Sequence, residues 1–331
     1  MTVADNVRAE PPAWWIFDGG GRPHDRIEQL PAPPPWRKFD GDGDQLVDAT
    51  IPRHIGANAG AALRPDRHTV DLVNAAIYLR RPLFVSGAPG TGKSTLAYSI
   101  AHELGLGAVL HWPITSRSTL LEGLYLYDAI GRMQERNDNG TVSNVGDYIR
   151  LGPLGTALLD ADRPRVLLID EIDKCDVDLP NDLLHVFEEG TFVVPELERL
   201  PDDPAGVEVF TADPGRRHRV VNGRVRCQAF PIVVMTSNRE REFPAAFQRR
   251  CLRLHLDAPD GAKLTAIVAA HLGQVDDVTR ARIEAFLGLH ADGRDRAIDQ
   301  LLNLLFLARS GRDVTEDVLQ RLVAPLADES Q

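Results

Sequence analysis

A glycine-rich loop between an apolar run and a helical run constrains the fold of this 331-residue chain more than any other feature. It reads Gly87-Ala88-Pro89-Gly90-Thr91-Gly92-Lys93-Ser94, with Thr95 next. Such glycines let backbone N–H groups surround phosphates, while the helix N-terminus adds a positive field. Lys93 can then contact the β- and γ-phosphates, and the Ser94 hydroxyl can ligate magnesium. The sequence therefore predicts a P-loop that binds ATP with Mg²⁺, rather than a glycine turn without a ligand.

Strand and helix signals alternate around this loop, which favours an α/β fold. Helical periodicity covers residues 69–79 and 94–104. Five short apolar runs are predicted as strands, at residues 83–85, 108–112, 166–169, 231–235 and 252–256. We therefore expect a P-loop NTPase αβα sandwich around a five-stranded, mostly parallel sheet.

The sequence as a whole suggests three regions. Residues 1–55 form a proline-rich arm, which either is an exposed linker or docks through Trp14, Trp15 and Trp36. Residues 56–257 form the nucleotide-binding domain, with insertions at about 115–150 and 195–230. Residues 258–331 form a small all-helical lid, with helices predicted at 263–272, 278–287, 297–307 and 315–323.

The third apolar run ends in two acids, Asp170 and Glu171. The carboxyl end of a parallel strand lies at the edge of the sheet where the P-loop opens. Asp170 can hold magnesium through its water shell, while Glu171 can orient or deprotonate the water that attacks the γ-phosphate. Asp173 and Lys174 are expected to be solvated polar residues.

Two later features complete the predicted catalytic set. Thr236, Ser237 and Asn238 follow the fourth run, and the Asn238 amide can position the lytic water. Arg249 and Arg250 directly precede the last strand. From that position they are not expected to reach the γ-phosphate of their own subunit easily. An arginine finger that enters a neighbour's site fits this position better.

The motifs GAPGTGKST, LLIDEID, TSN and AAFQRRC, in this order and followed by helices, resemble those of AAA+ ATPases, and more narrowly the MoxR group. This resemblance extends from about residue 56 to the C-terminus. It implies a homo-oligomeric, hexameric ring with ATP between subunits, and a chaperone role on a client protein, often one with a von Willebrand A domain. The roles it implies are phosphate and magnesium binding for Lys93 and Ser94, metal support for Asp170, catalysis for Glu171, a first sensor for Asn238, and a trans finger for Arg250, with Arg249 as the fallback. Arg294 and Arg296 are two candidates for a second sensor, in an atypical setting.

The insertions leave alternatives open. Tyr125 and Tyr127 either pack within the subunit or, by resemblance to related rings, grip a client at the central pore. Residues 216–226 hold five arginines and no acid, and Asn222-Gly223 predicts a two-residue hairpin turn between them. That hairpin is either a solvated surface or a binding surface for acidic partners.

Composition excludes several classes of protein. A net charge of −11 repels nucleic acid and anionic membranes, so a nucleic-acid partner is not expected. The sequence has neither a recognisable signal peptide nor a stretch of about 20 apolar residues that would span a bilayer. The three cysteines, at positions 175, 227 and 251, are far apart and are predicted to be free thiols. These features together predict a cytoplasmic protein.

Two other classes compete with the hydrolase interpretation. A P-loop kinase or GTPase is disfavoured, because a guanine-specific Asn-Lys-x-Asp signature is absent and Glu171 favours water as the nucleophile. A scaffold that binds ATP with little turnover stays open, because sequence shows the parts of a site and not its rate.

Overall fold

The structure is a computed structural model that describes residues 12–37, 39, 65–139, 144–201, 205–257, 260–290 and 298–309. The predicted helix at 315–323 and the candidate second sensors Arg294 and Arg296 lie outside these residues.

A five-stranded sheet forms the centre of the molecule, in the order β11-β1-β10-β5-β2, and all four of its strand pairs are parallel. Its strands are β1 (Leu83–Gly87), β2 (Leu110–Pro113), β5 (Val166–Asp170), β10 (Ile232–Ser237) and β11 (Leu252–Leu256). The five predicted strands are confirmed, with ends shifted by no more than two residues. The αβα fold is confirmed as well, and the sheet is wholly rather than mostly parallel.

Helices and smaller sheets surround this centre. Within the described residues the α-helices are α1 (Arg67–Leu79), α2 (Lys93–Glu103), α3 (Leu120–Leu124), α4 (Ala129–Asn139), α5 (Pro153–Ala157), α6 (Leu179–Glu189), α7 (Pro195–Glu198), α8 (Ala245–Arg250), α9 (Gly261–Leu272), α10 (Asp277–His290) and α11 (Ile298–Arg309), and short 3-10 turns lie between some of them. The remaining strands are β3 (Tyr125–Tyr127), β4 (Ile149–Leu151), β6 (Thr191–Val193), β7 (Val207–Phe210), β8 (Arg217–Val220) and β9 (Arg224–Arg226).

The two faces of the main sheet have separate apolar cores, because successive strand residues point to opposite sides. On one face, Leu168 and Val234 pack with α1 and α2. On the other, Leu167 and Val233 pack with the insertions and α6. Because side chains alternate along each strand, the pairing of the strands shows which of the two cores a given side chain faces.

The arm docks on the body, which decides between the two alternatives for residues 12–37. Asn74, fully buried on α1, accepts hydrogen bonds from the N–H groups of Ile16 and Phe17 and donates to the carbonyls of Phe17 and Val70. Further along, the Arg37 guanidinium donates to the carbonyl of Phe187 at 2.7 Å. Ile16 and Phe17 are part of one core, and residue 39 is part of the other. The arm therefore contributes to both faces of the sheet.

Glu103, at the end of α2, is a second anchor of the arm and is also fully buried. Its carboxylate accepts the N–H groups of Asp18, Gly19 and Gly21. Burial and the nearby Asp18 raise the pKa of Glu103, while these N–H groups oppose that shift. Carboxylates buried in this way are tolerated because their oxygens are hydrogen-bonded.

The insertions form a four-stranded sheet in the order β3-β4-β7-β8 and a two-stranded sheet of β6 and β9. Tyr125 and Tyr127 of the first insertion pack within the subunit. Tyr125 is buried and donates to Glu196 at 2.9 Å, and the Tyr127 hydroxyl accepts from Arg132 at 3.1 Å.

The predicted arginine hairpin is correct at its turn and wrong beyond it. Asn222 and Gly223 both have positive φ, and a bridge joins Val221 to Arg224. The flanking strands then separate, since β8 pairs with β7 and β9 pairs with β6. Acids from other elements lie beside the arginines: Arg217 pairs with Asp147, with a distance of 2.6 Å. The sequence pattern gave the turn but could not give these distant strand partners.

The helices α9, α10 and α11 share a core of their own, which includes Val268, Ile283 and Leu301. The first residue of α11, Ile298, lies against the P-loop: a Cβ added at Gly90 would be 2.6 Å from the Ile298 nitrogen. Gly90 also has a φ of +78°, which side chains rarely adopt. Two independent constraints therefore favour glycine at this position. The exact domain boundaries at 55/56 and 257/258 stay predictions.

Within the described residues no helix is both long and apolar enough to cross a bilayer. The three cysteines are free thiols, as predicted, and the structure places all three in the interior.

Candidate functional site

The P-loop connects β1 to α2 at the carboxyl edge of the sheet. Gly92 is the N-cap of α2 and has a φ of +87°, so the chain turns directly from the loop into the helix. Thr91 closes the loop by donating its hydroxyl to the carbonyl of Ala88 at 3.0 Å. Thr95 is half-buried in the first turn of α2. The loop Gly87–Thr95 thus has the strand and helix flanks that a phosphate-binding loop requires.

The Lys93 ammonium lies inside this loop, where it donates to the carbonyls of Gly87 and Ala88 at 2.8 Å each. Only 7% of the residue is exposed. Burial lowers the pKa of Lys93, while Asp173, Asp170 and Glu171 favour its charged form. The cation is therefore held where the phosphates of a bound nucleotide would lie.

Asp170 is bound by side chains from three other elements. Its Oδ1 accepts the hydroxyls of Ser94, at 2.7 Å, and Thr236, at 2.5 Å. Its Oδ2 lies 3.3 Å from Nε2 of His111. Burial raises the pKa of Asp170, but hydrogen bonds from His111, Thr236 and Ser94 outweigh it and hold the pKa at about 2. Asp170 is thus an ionised carboxylate next to the P-loop hydroxyl.

Sequence reasoning missed Thr236 and His111. His111 is a polar residue within one predicted apolar strand and Thr236 directly follows another, and these polar positions are the available signal. Their contact with Asp170 depends on the order of the strands, because β10 and β2 are the two neighbours of β5.

Glu171 turns away from the strand with a φ of +59°. Its N–H donates to the Thr236 hydroxyl at 2.9 Å, which fixes the backbone of this turn. Its carboxylate accepts from Lys174 at 2.7 Å and is 44% exposed. A positive φ is uncommon outside glycine and clusters at functional sites. The Glu171 side chain is accessible to solvent, and in this conformation it is paired with a cation.

Asp173 is buried, at 5% exposure, so the expectation of a solvated residue is wrong. Its Oδ2 accepts the N–H groups of Asn238, at 2.9 Å, and Glu240, at 3.1 Å. The reason is the short helix at Ile172–Lys174, which directs Asp173 inward toward the end of β10. Asn238 follows β10 directly and is half-buried. The predicted sensor therefore lies just beyond the carboxyl end of the strand that pairs with β5, the strand that ends in Asp170.

Arg249 and Arg250 are not part of this cluster. They end α8, just before Leu252, which is paired with the first residue of β1, whereas the P-loop begins at the last residue of β1. Arg250 forms an ion pair with Glu188 of α6, and Arg249 donates to the carbonyl of Ala245. The two arginines therefore lie near the amino ends of the parallel strands, whereas their own P-loop lies at the carboxyl ends.

Oxygen donors dominate the centre of the site, and this suits magnesium. Mg²⁺ prefers hard oxygen ligands, such as a hydroxyl and a carboxylate, together with substrate phosphates. Ser94 and Asp170 supply these two groups, already in contact. The residues present therefore fit a magnesium nucleotide.

A comparison with models of protein families agrees with this geometry. The sequence model of the AAA domain, dynein-related subfamily, matches residues 82–251, which is half of the chain. A search of curated proteins found no match. Among 427 matching chains of solved structures is NtrX from Brucella abortus, with 14% identity and a TM-score of 0.44. The alignment covers 83% of this chain and 55% of NtrX, so this chain spans about half the length of that protein.

Proposed function

Because the chain belongs to the AAA domain family, dynein-related subfamily, we propose that it binds Mg-ATP and hydrolyses it at the subunit interfaces of a homo-oligomeric ring. The cycle would remodel, assemble or activate a partner protein, as in MoxR-like ATPases. The hexameric ring, the client and its von Willebrand A domain are parts of this proposal. One observation carries the nucleotide chemistry: the 2.7 Å hydrogen bond from Ser94 to Asp170 joins the P-loop to the acidic strand.

Each residue of the cluster has a role in this proposal. Lys93 binds the β- and γ-phosphates, and Ser94 and Asp170 hold Mg²⁺, with Asp170 acting through water. Mg²⁺ held by these residues would supply positive charge that stabilises the negative charge developing on the phosphate oxygens. Thr236 orients Asp170 through its hydroxyl and Glu171 through that residue's N–H. Asn238 positions the attacking water.

Glu171 would orient and deprotonate that water. Its pairing with Lys174 has to open first, because the carboxylate oxygen that accepts from the ammonium is not free to accept a proton from water. Both side chains are more than 40% exposed, so the pair can separate at small energetic cost.

The position of Arg250 supports a shared active site. A side chain near the amino ends of the strands cannot contact the nucleotide in its own P-loop. In a ring, the same side chain can face the nucleotide of the neighbouring subunit. An arginine finger supplied in trans stabilises the charge of the transition state. In this proposal Arg250 exchanges Glu188 for the phosphates of the adjacent subunit, and Arg249 is the fallback.

The Glu171–Lys174 pair also favours a second candidate, an ATP-gated scaffold with little turnover. In that case the pair would stay closed and nucleotide binding alone would set the conformation of the subunit.

Single-turnover hydrolysis separates the two candidates. We expect the Glu171→Gln variant to bind ATP like the wild type but to hydrolyse it roughly a hundredfold more slowly, the usual effect of losing a general base. Lys93→Ala should lose ATP binding itself. Equal, near-zero rates for wild type and Glu171→Gln, with binding retained, would favour the scaffold.

A further inference from the structure

The proposed finger, Arg250, and the docked arm are both held by the end of helix α6. Arg250 forms an ion pair with Glu188 of that helix. One residue earlier, the carbonyl of Phe187 accepts a hydrogen bond from the Arg37 guanidinium at 2.7 Å. Consecutive residues of α6 therefore bind two guanidinium groups, one from the arm and one from α8.

The two guanidinium groups differ in their surroundings. Arg37 is 8% exposed, and its Cζ atom lies 5.8 Å from the centre of the Phe230 ring. The side chains of Arg250 and Glu188 are each 43% exposed, and an ion pair as accessible as this one opens at small energetic cost. Arg37 is therefore a charge fixed in the interior, whereas Arg250 can move.

Positive charge exceeds negative charge around this end of α6. Burial lowers the pKa of Arg37, and the charges of Arg81 and Arg250 lower it further, while Glu188 favours the charged form. A guanidinium nevertheless stays protonated in proteins. Arg37 therefore attracts the carboxylate that holds the finger, and it repels the finger itself.

We propose that Arg37 of the docked arm is a positioning residue for the finger: its fixed charge loosens the Arg250–Glu188 pair, so that Arg250 can turn to the phosphates of the neighbouring subunit's nucleotide. The inference rests on the proposed function, because it assumes that Arg250 acts in trans. Without a charge at position 37, Glu188 holds Arg250 more tightly and fewer fingers are available. Turnover in one subunit then depends on the arm of the next.

The Arg37→Gln variant tests this, because a glutamine amide can still donate to the Phe187 carbonyl but carries no charge. Arg37→Met is a second neutral variant that keeps an unbranched apolar stem, and Arg37→Lys keeps the charge. Each is made alone and together with Glu188→Gln, which removes the carboxylate that holds the finger. The matched control is Arg224→Gln, at an exposed arginine of β9. ATPase rate, ATP affinity and urea unfolding are measured on the full-length proteins.

We expect both neutral variants to lower maximal turnover roughly twofold to fivefold, the range that one charge pair at a surface contributes. ATP affinity should not change, because the P-loop of each subunit is intact. Arg37→Lys should recover most of the loss, and Arg224→Gln should behave as the wild type does. In the Glu188→Gln background a neutral residue at position 37 should no longer lower turnover, whatever its effect on stability.

The inference is overturned if the loss is equally large in the Glu188→Gln background, or if Arg37→Lys does not restore turnover, since the role of Arg37 is then to hold the arm. It is also overturned if the neutral variants match the wild type while Arg250→Ala is nearly inactive. If Arg250→Ala keeps full turnover, the shared site of the proposed function fails instead.

Discussion

Three side chains from three elements surround the carboxylate of Asp170, and they favour its ionised form. Since its pKa is about 2 instead of 3.8, ionised Asp170 stabilises the folded state above pH 3.8, and this contribution is lost as the pH falls toward 2. We expect the difference in unfolding free energy between wild type and Asp170→Asn to be larger near neutral pH and to shrink across that interval. Urea unfolding at several pH values measures it. Asp162→Asn, at an exposed loop position, is the matched substitution and should show no comparable change.

Asp173 gives a second prediction at the residue scale. In Asp173→Ala the N–H groups of Asn238 and Glu240 lose their acceptor, so the predicted sensor is no longer held. We expect ATP affinity to stay within a few-fold of wild type and hydrolysis to fall roughly tenfold or more, equivalent to about 1.4 kcal/mol or more of transition-state stabilisation. Nucleotide titration and ATPase rates measure the two effects. The exposed residue Asp182 provides the control substitution to alanine, and equal rates in the two variants would contradict a positioning role for Asp173.

Local sequence patterns were sufficient to predict the strands and the P-loop, but they do not predict which side chains of different strands contact one another. An apolar run with an acid at its end predicts β5 and Asp170 directly. That Thr236 and His111 contact this acid depends on which strands are adjacent, and sequence order does not give that adjacency. Asp173 was placed in solvent for the same reason, because its partners are backbone groups more than 60 residues away.

At the scale of elements, the docked arm explains the polar residue Asn74 inside an otherwise apolar helix face. Its side-chain amide forms hydrogen bonds with the backbone groups of Ile16 and Phe17, as a neighbouring strand would. Nothing in the helical periodicity of α1 indicates this, because a lone asparagine on a helix is usually solvated. The segment it binds is more than 50 residues away in the chain.

We expect Asn74→Ala to release the arm. The substitution leaves buried N–H and C=O groups unpaired, at about 1–3 kcal/mol each, so the variant should lose roughly 2–4 kcal/mol of stability. Urea unfolding measures the loss, and limited proteolysis should show faster cleavage within residues 12–30. Asn181→Ala, an exposed change on α6, should have little effect on either. An Asn74→Ala protein that resists cleavage as the wild type does would contradict anchoring by this residue.

At the scale of the whole molecule, the proposed site residues lie at opposite ends of the parallel strands. The carboxyl ends hold the nucleotide cluster, which consists of Lys93, Ser94, Asp170 and Glu171. Arg250 lies near the amino ends, where it pairs with Glu188. If Arg250 is the finger, as proposed, a subunit acting alone has an incomplete site.

Mixed oligomers test this division. Lys93→Ala and Arg250→Ala subunits should each be nearly inactive alone, since an arginine finger contributes about 10³–10⁵ in rate. Mixing them should restore part of the turnover, because some interfaces combine an intact P-loop with an intact finger. ATPase rate against mixing ratio is the measurement, and Arg249→Ala mixed with Lys93→Ala shows whether the neighbouring arginine is the finger instead. A rate that stays flat at every ratio in both mixtures would exclude a site shared between subunits.

The contact between Gly90 and Ile298 has a mechanical consequence. Because the backbone of Gly90 lies against the first residue of α11, we expect a bound phosphate that reshapes the loop to displace that helix. The position of the predicted lid would then follow the occupancy of the loop without a charged side chain as an intermediary. A methyl group at position 90 would separate the two surfaces and uncouple the lid from nucleotide exchange, even though every catalytic side chain remained in place.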